Sequence, residues 1–350
     1  MRRIEHTEWI DQRGLDDARR EIGRQKSAGL SKKNAASAEF LLRYLDAVDK
    51  AYGDPNENSL RPMRVPYARL YNYGRAYSKA PKGPNWSENQ PSSVSVQGMS
   101  AALRPFLLNT VCHDIDIENC HPTLIEQLAK WWHMWPEHGG IAKPIDTTQL
   151  HSLVTDRAAF FEQIATFHAL PPEEHRPGHR KKLCKQLILR LMYGGSYEAW
   201  LREHRLPLGK RVPRVVALQQ EIATIRDALL NSNRFGTFVQ AERARLANKG
   251  KRDEEADRSI FAKIAQHLEH TVLMAMRNYL IWRGWEVHSL VFDGLTVGHQ
   301  EGRSFDLREM EWYVERETQF QVKITEKALF GAEAVLELSS VDVAMANDAV

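Results

Sequence analysis

Three aspartates are the first residues in this chain whose types and spacing could do chemistry. Asp114 and Asp116 alternate within an apolar run whose period of two predicts a β-strand. Asp293 stands between two short apolar runs and precedes Gly294, a pattern that predicts a hairpin with the glycine at the positive φ of the turn. Carboxylates that converge from adjacent strands can bind Mg²⁺, which takes one or two protein carboxylates and fills its octahedron with water and phosphate oxygens. The alternative is that Asp116 caps the next helix and Asp293 serves the turn alone.

A second group of residues forms a stripe on a predicted helix. Lys181, Lys185, Leu189 and Tyr193 recur every four residues and therefore share one helical face, and two glycines then end the helix. Two cations, an apolar contact and an aromatic ring in line can hold a nucleoside triphosphate, with the charges on the phosphates and the ring beneath the base. The alternative is an ordinary solvated helix face.

Bulk composition excludes several classes of protein. The 350 residues are 43% hydrophobic and 27% charged, as in soluble globular domains, so neither global disorder nor a coiled coil is expected. The net charge of +3 says little, but basic blocks at 175–185 and 249–252 suit phosphate neutralisation. No apolar run reaches 18 residues and the first residues lack an apolar signal core, so we expect no membrane span and no standard secretion. Three irregularly spaced cysteines fit a reducing cytoplasm, or a host cell if the source is viral.

The pattern of elements predicts an α+β architecture, with a small antiparallel sheet and helices on one face. Two regions frame it: residues 1 to about 52 are predicted to be helical, and residues 141 to 255 mostly helical. The elements predicted between and after them are a loop from Lys79 to Ser95, a strand from Val111 to Ile117, a helix from Pro122, a long helix from about Arg258 to Trp282 stopped by Gly284, the hairpin, a helix from Leu307 to about Thr318, and a strand from Phe320 to Ile324.

Four segments, in order over about residues 68 to 330, resemble the superfamily A polymerases. That superfamily includes bacterial DNA polymerase I and the single-subunit phage-type RNA polymerases, and the chain is most similar to the short transposon- and virus-encoded branch. The segments are Tyr73-Gly-Arg-Ala-Tyr77 with Ser95-Val-Gln-Gly-Met99 and Arg104, Asp114-Ile-Asp-Ile-Glu-Asn-Cys-His-Pro122 (motif A), Lys181-x3-Lys185-x3-Leu189-x3-Tyr193-Gly194 (the O-helix, motif B), and Phe292-Asp293-Gly294 (motif C).

The resemblance implies a right-hand polymerase with a small antiparallel palm sheet and largely helical fingers and thumb-like parts. The implied domains are an N-terminal helical, thumb-like region with a pre-palm loop (1–105), a first palm segment with motif A (106–140), a helical fingers insertion with motif B (141–255), a second palm segment with motif C, a helix and a strand (256–335), and a polar tail (336–350).

The resemblance also implies a two-metal site. Asp116 and Asp293 would hold two Mg²⁺ or Mn²⁺ ions, and Asp114 is either a further ligand or the principal motif A ligand. We favour Asp116 because His121 follows it by five residues, where DNA polymerases of the family sense the 2′ position of the sugar. Lys185, the third implied catalytic residue, would neutralise the incoming triphosphate. The full implied nucleotide-binding set is Lys181, Lys185, Leu189, Tyr193 and His121.

Contacts to template and primer follow from the same resemblance. The residues implied are Arg75, Gln97, Arg104, Arg258 and Gln266. The expected partners are DNA and nucleoside triphosphates, with a replicative helicase beside a monomeric enzyme of a virus or mobile element. The region before Gly74 is too short for the exonuclease domain of polymerase I, so proofreading is not expected.

Departures from the family pattern leave other functions open. Phe292 replaces the usual His, Gly294 replaces an acid or Ser, and Leu189 replaces an aromatic residue. The sequence therefore leaves open dNTP or rNTP preference, and also a non-catalytic nucleic-acid binder on a polymerase scaffold. A two-metal nuclease could use the same acids, although a nuclease has no use for a triphosphate-binding stripe.

Overall fold

The structure is a computed structural model that describes residues 4–69, 73–87, 90–131, 145–171 and 178–329. These residues form a mixture of helices and small antiparallel sheets in two compact units. The first unit combines the residues up to Glu118 with those from Glu269 onward, and the second comprises Asn119–Leu268. One long helix contributes its first half to the second unit and its last turns to the first.

The elements follow one another in two long stretches. From the N-terminal end they are β1 (Ile4–Asp11), α1 (Gln12–Ser27), α2 (Lys32–Ala51), β2 (Leu60–Arg69), β3 (Ala76–Ser78), β4 (Lys82–Ser87), β5 (Gln90–Ser93), α3 (Arg104–Leu108), β6 (Cys112–Ile117) and α4 (Cys120–Lys130). They continue with α5 (Thr148–Thr155), α6 (Arg157–Phe167), α7 (His179–Met192), α8 (Tyr197–Glu203), α9 (Pro213–Leu230), α10 (Asn233–Ala247), α11 (Asp253–Trp282), β7 (Val287–Val291), β8 (Gly294–Gly298), α12 (Leu307–Thr318) and β9 (Ile324–Lys327).

The first unit is built around a four-stranded antiparallel sheet of order β7-β8-β6-β9. Directly opposed residues share a face of such a sheet. Asp114 of β6 therefore lies in one row with Thr296 and Lys327, and Asp116 lies in the next row, beside Gly294 of β8. Two further antiparallel sheets, β1-β2-β3 and β4-β5, belong to the same unit.

Several predicted elements are confirmed. The order helix, hairpin, helix, strand holds from α11 to β9, and the described part of residues 141–255 is helical. Gly284 adopts a φ of +78° directly after α11, as its role as a helix stop requires. The assignment of these parts to palm, fingers and thumb stays a prediction. The polar tail (336–350), residues 132–144 and the first residues of the basic block (172–177) lie outside the described residues.

Three predicted elements are wrong. Residues 4–11 form a strand and not a helix, and their alternation was hidden because the buried positions include His6 and Glu8. The predicted Lys79–Ser95 loop contains the β4–β5 hairpin, whose prolines, glycine and serines are residues that strands usually avoid. The last strand begins at Ile324, where it was predicted to end, because residues 320–323 are an irregular approach to it. The helix after β6 also begins two residues before Pro122.

Buried thiols occur in both units. Cys112 lies in β6, Cys120 in α4 and Cys184 in α7, and all three are buried. Within the described ranges, none of the helices combines the length and the apolar character needed to cross a bilayer.

Candidate active site

Three carboxylates lie within electrostatic reach of one another near the end of β6. Asp114 and Asp116 point to the same face of the strand because they are two residues apart. Asp293 lies in the turn between β7 and β8, and its carbonyl oxygen accepts a hydrogen bond of 3.1 Å from the backbone N–H of Ile117. The charge of Asp293 acts on both Asp114 and Asp116. The hairpin therefore brings together the three acids that the sequence singled out.

The turn itself differs from the predicted one. Val291 pairs with Gly294, so the two turn residues are Phe292 and Asp293. The positive φ (+55°) belongs to Phe292, and Gly294 is already within β8. A Cβ atom at Gly294 would lie 2.6 Å from the carbonyl oxygen of Ile115 and 2.8 Å from Oδ1 of Asp116. The glycine is thus needed for the close approach of β8 to β6 and not for its backbone dihedral.

A buried ion pair supports the turn. Phe292 is a non-glycine residue in the left-handed region, a conformation that persists only where the surroundings fix it. The guanidinium of Arg75 lies 5.0 Å from the centre of the Phe292 ring. Arg75 also binds the buried carboxylate of Glu269 through two of its three nitrogens: Nε donates to Oε1 at 2.5 Å and Nη2 donates to Oε2. Arg75 therefore braces the hairpin, and its predicted contact with nucleic acid stays a prediction.

Electrostatics make this face unfavourable for three negative charges. Burial and, after it, the neighbouring charge of Asp293 raise the pKa of Asp116 to about 7, against the opposing effect of Lys327. Burial also raises the pKa of Asp114, while Arg104 and Lys327 oppose that rise. The Lys327 ammonium pairs directly with the Asp116 carboxylate. Sequence reasoning missed Lys327 because the last strand was predicted to end before it.

The acids fit a divalent cation of the hard, oxygen-binding class. Within the described part of the chain, no three His, Cys, Asp or Glu side chains are grouped to hold a metal ion. Mg²⁺ needs only one or two protein carboxylates, which Asp116 and Asp293 can provide. A cation between them would also offset the repulsion that raises the pKa of Asp116. The donor set is thus suited to Mg²⁺ or Mn²⁺ with water and phosphate as the other ligands.

The second unit presents the predicted stripe on the outer face of α7. Lys181 and Lys185 are exposed, and Leu189 and Tyr193 are half-buried. The opposite face packs into the core through Leu183, Cys184, Leu187, Ile188, Leu191 and Met192. Helical periodicity alone separates the two faces, so the apolar side anchors the helix and leaves the lysines in solvent. The helix ends at Tyr193, and Gly194 follows with a φ of +77°.

Two predicted site residues from other helices, His121 and Arg258, contact the end of α7. The Tyr193 hydroxyl is hydrogen-bonded to Nδ1 of His121, which is buried on α4, and the two rings meet edge to face. Arg258 lies over Gly194, where a Cβ atom would come within 2.5 Å of the Arg258 Cγ. The Arg258 guanidinium donates to the Gly194 carbonyl at 3.4 Å, as suits a cation at a helix C-terminus.

The remaining residues predicted to contact nucleic acid, Gln97, Gln266 and Arg104, are buried or half-buried within the protein. The buried Gln97 amide accepts from the N–H of Ser78 and donates to the carbonyls of Ala76 and Leu290. Gln266 is 3% exposed in α11, and Arg104 is half-buried at the start of α3. For Gln97 and Gln266, contact with nucleic acid would require these buried groups to become accessible. For all three residues it stays a prediction.

No family model matches this chain. The chain is 28% identical over 239 residues to protein V13 of Sputnik virophage, which is named as a candidate helicase. That match covers 67% of this chain and 27% of V13, so the chain spans about a quarter of that protein. Among solved structures, the chain is similar to the polymerase domain of Pol1 from M. smegmatis in complex with DNA primer-template and dNTP, with 13% identity and a TM-score of 0.45 over 85% of this chain and 52% of that one. A TM-score of 0.45 is too low to assign a fold.

Proposed function

We propose that this chain catalyses template-directed nucleotidyl transfer, as a DNA polymerase, a primase or both, in the manner of the superfamily A polymerases. The observation that carries the proposal is that Asp293, in the β7–β8 turn, lies within electrostatic reach of Asp114 and Asp116 on one face of β6. The order of the sequence segments that resemble motifs A, B and C supports it.

The first unit supplies the acids. In the reaction, a 3′-hydroxyl attacks the α-phosphate of the triphosphate, and the bond to pyrophosphate breaks. Asp116 and Asp293 would hold two Mg²⁺ or Mn²⁺ ions, and these would supply activation of the attacking oxygen and stabilisation of the leaving one. Asp114 adds a third negative charge to the same face. Lys327 neutralises Asp116 until a metal ion binds.

The second unit supplies the binding of the triphosphate. Lys185 and Lys181 neutralise the phosphates from the exposed face of α7, because charge-assisted hydrogen bonds to phosphate are strong and need no fixed geometry from lysine. Leu189 and Tyr193 give the base an apolar surface. His121, hydrogen-bonded to the Tyr193 hydroxyl, is the residue that we propose reads the sugar.

A polymerase assay tests the proposal. The protein is incubated with Mg²⁺ and labelled dNTPs or rNTPs, once with a primed template and once with an unprimed single strand. We expect extended or newly started strands, lost in Asp116→Asn and Asp293→Asn and kept in Asp54→Asn, an exposed aspartate of the same unit. Absence of any product in the unaltered protein, or full activity of Asp293→Asn, would contradict the proposal.

Two other functions use the same residues. A non-catalytic nucleic-acid binder is favoured by Phe292 at the position where the family carries His. It predicts salt-dependent binding of DNA without any product. A two-metal nuclease predicts degradation of labelled DNA when Mg²⁺ is present and triphosphates are omitted. Because the nuclease has no use for Lys181 and Lys185, it also predicts that their loss leaves the rate unchanged.

A helicase is the partner that we propose for this activity. The name of V13 mentions a helicase, and the resemblance to the virus-encoded polymerases implies one. The 350 residues contain no Gly-x4-Gly-Lys-Ser/Thr segment, the phosphate loop of many ATP-driven motors. We therefore expect no DNA-stimulated ATP hydrolysis by this chain alone, which a phosphate-release assay measures.

A further inference from the structure

A line of buried hydrogen-bonding side chains runs from β1 to the hairpin that carries Asp293. Its members are Glu8, Tyr67, Ser289 and Thr296, each 2% exposed or less. The Tyr67 hydroxyl donates to Oε1 of Glu8, and the Ser289 side chain and the backbone N–H of Leu290, both on β7, act on the Tyr67 oxygen. Ser289 Oγ lies 2.6 Å from Thr296 Oγ1 across the β7–β8 pair. All four residues belong to the first unit.

The charge state of Glu8 decides which group donates the hydrogen bond at the start of this line. When Glu8 is ionised, its carboxylate can only accept hydrogen bonds, so Tyr67 then donates to it. Ser289 and Thr296 form the next hydrogen bond of the line, in which either hydroxyl can donate. Because an unmatched polar group at such depth costs a full desolvation penalty, a change at one end is felt along the line.

Other groups also surround Glu8. Its Oε2 accepts from the Tyr52 hydroxyl at 3.0 Å and from the N–H of Val96 at 2.8 Å. The charge of Arg104 on α3 acts on it, and Tyr44 of α2 lies in its field. Tyr67 leads on from Glu8 to β7 directly, and Val96 leads there through its neighbour Gln97, whose amide donates to the Leu290 carbonyl.

The line reaches the hairpin at the place where its register is least secured by the strand ladder. The pairing of β7 with β8 is irregular between Val287 and Ser289. Ser289 and Thr296 oppose each other where the regular pairing begins, and their side chains form a hydrogen bond across the two strands. A slip of one residue here would turn Asp293 away from the Asp116 face, because side chains alternate along a strand.

We propose that Glu8 is a positioning residue for Asp293: through Tyr67 and Ser289 it holds the β7–β8 hairpin in the register that sets the Asp293 carboxylate beside Asp116. The catalytic meaning of this arrangement rests on the proposed function. The mechanical component, a coupling of Glu8 to the hairpin, does not.

Two tyrosines provide a matched pair for the test. Tyr52 and Tyr67 both donate to Glu8, but Tyr52 lies at the end of α2 and does not touch the hairpin in the described contacts. If Glu8 only stabilises the fold around β1, Tyr52→Phe and Tyr67→Phe should have similar effects everywhere. If it positions the hairpin, only Tyr67→Phe and Ser289→Ala should affect that hairpin.

Hydrogen exchange measures the coupling without requiring any enzymatic activity. We expect amide exchange at Leu290, Val291 and Leu295 to be at least about tenfold faster in Tyr67→Phe and Ser289→Ala than in Tyr52→Phe. Glu5→Gln, an exposed change on the same strand β1, should match the unaltered protein. Exchange in α9 of the second unit serves as the reference for a general loss of stability.

Binding of Mn²⁺ and enzyme kinetics provide the functional readouts. Tyr67→Phe should weaken binding of Mn²⁺ alone about tenfold and lower kcat, with the KM for the nucleotide unchanged, because the triphosphate is assigned to α7. Equal hairpin exchange in the two tyrosine variants would overturn the positioning role, even in a protein that is active. A hairpin response in a protein that makes no nucleic acid would uphold the coupling and reject the polymerase.

Discussion

The acids of the first unit and the lysines of the second differ in what fixes them in place. Asp114 and Asp116 stand on a buried strand with raised pKa values, and their position depends on strand register and on a glycine that permits close approach. Lys181 and Lys185 stand in solvent on a helix whose other face is anchored. Changes among the acids should therefore alter stability and chemistry together, whereas changes on the lysine stripe should alter chemistry alone.

The largest effect is expected at Asp293. Asp293→Asn should lower nucleotidyl transfer by about 10³-fold, because a ligand of the metal ions is lost. Its thermal unfolding temperature should stay the same or rise, because the repulsion that raises the pKa of Asp116 is removed. Steady-state kinetics and calorimetry measure the two quantities, with Asp54→Asn as control. A fall of several degrees in the unfolding temperature would mean that Asp293 serves the fold.

The next effect is a dependence of stability on pH. Burial raises the pKa of Glu8 to about 7 from an ordinary value of 4.5. The folded protein therefore binds a proton more tightly than the unfolded chain does, and the resulting stability is complete below pH 4.5 and lost as the pH rises through 7. The shift corresponds to a loss on the order of 3 kcal/mol across that window.

Comparison with Glu8→Gln isolates this contribution from that of other groups. The difference in unfolding free energy between the two proteins, followed by urea denaturation from about pH 4.5 to 8, should change in favour of the variant as the pH rises. A constant difference at every pH would show that Glu8 has the same pKa in the folded and unfolded states.

Substitution of two glycines tests the difference between close packing in the sheet and the open surface of a helix. Gly294→Ala should lower the unfolding free energy by about 2 kcal/mol, because the new methyl group meets the backbone of β6 at Ile115. Gly236→Ala in α10 meets no atom within 4 Å and should raise it by about 0.5–1 kcal/mol through helix propensity. Urea denaturation of both variants measures the contrast, and equal changes would contradict it.

The smallest effect is expected on the stripe. Lys185→Ala should weaken binding of a fluorescent nucleoside triphosphate about tenfold, the loss of one charge-assisted contact to phosphate. The unfolding free energy should change by less than about 0.5 kcal/mol, as for other exposed residues. Lys210→Ala, an exposed lysine in a loop of the same unit, is the control. If the unaltered protein, Lys185→Ala and Lys210→Ala bind the nucleotide equally strongly, the proposed role of α7 in triphosphate binding is wrong.

The sequence predicted the elements that bear the candidate site residues because their patterns are regular. The alternation around Asp114 and the apolar runs flanking Asp293 indicate strands, and the period of four from Lys181 to Tyr193 indicates a helix face. In each case the apolar residues repeat with the period of the element, so a single sequence is enough. The same patterns placed Asp114 and Asp116 on one strand and Asp293 in the hairpin, and their role as catalytic acids stays a prediction.

Other features escaped because their causes lie in distant parts of the chain. The strand β1 buries Glu8, which is tolerated only because Tyr52, Tyr67 and the Val96 N–H reach it from elsewhere. Phe292 takes the positive φ that was expected of Gly294, supported by Arg75 from another segment. Local propensity cannot register such partners, since they lie in segments far away in sequence.

The strand that bears the candidate acids and the helix that bears the candidate lysines each contain a buried cysteine. Cys112 is buried within β6, the strand that bears the acids, and Cys184 is buried on the inner face of α7, behind the lysines. A thiol reagent reaches either sulfur only during a local opening of the element that bears it. The labelling rate of each cysteine therefore measures how often that element opens. Peptide mapping assigns the label to one cysteine or the other. A single reagent thus gives the opening rate of the acid-bearing strand and that of the lysine-bearing helix separately, in the unaltered protein.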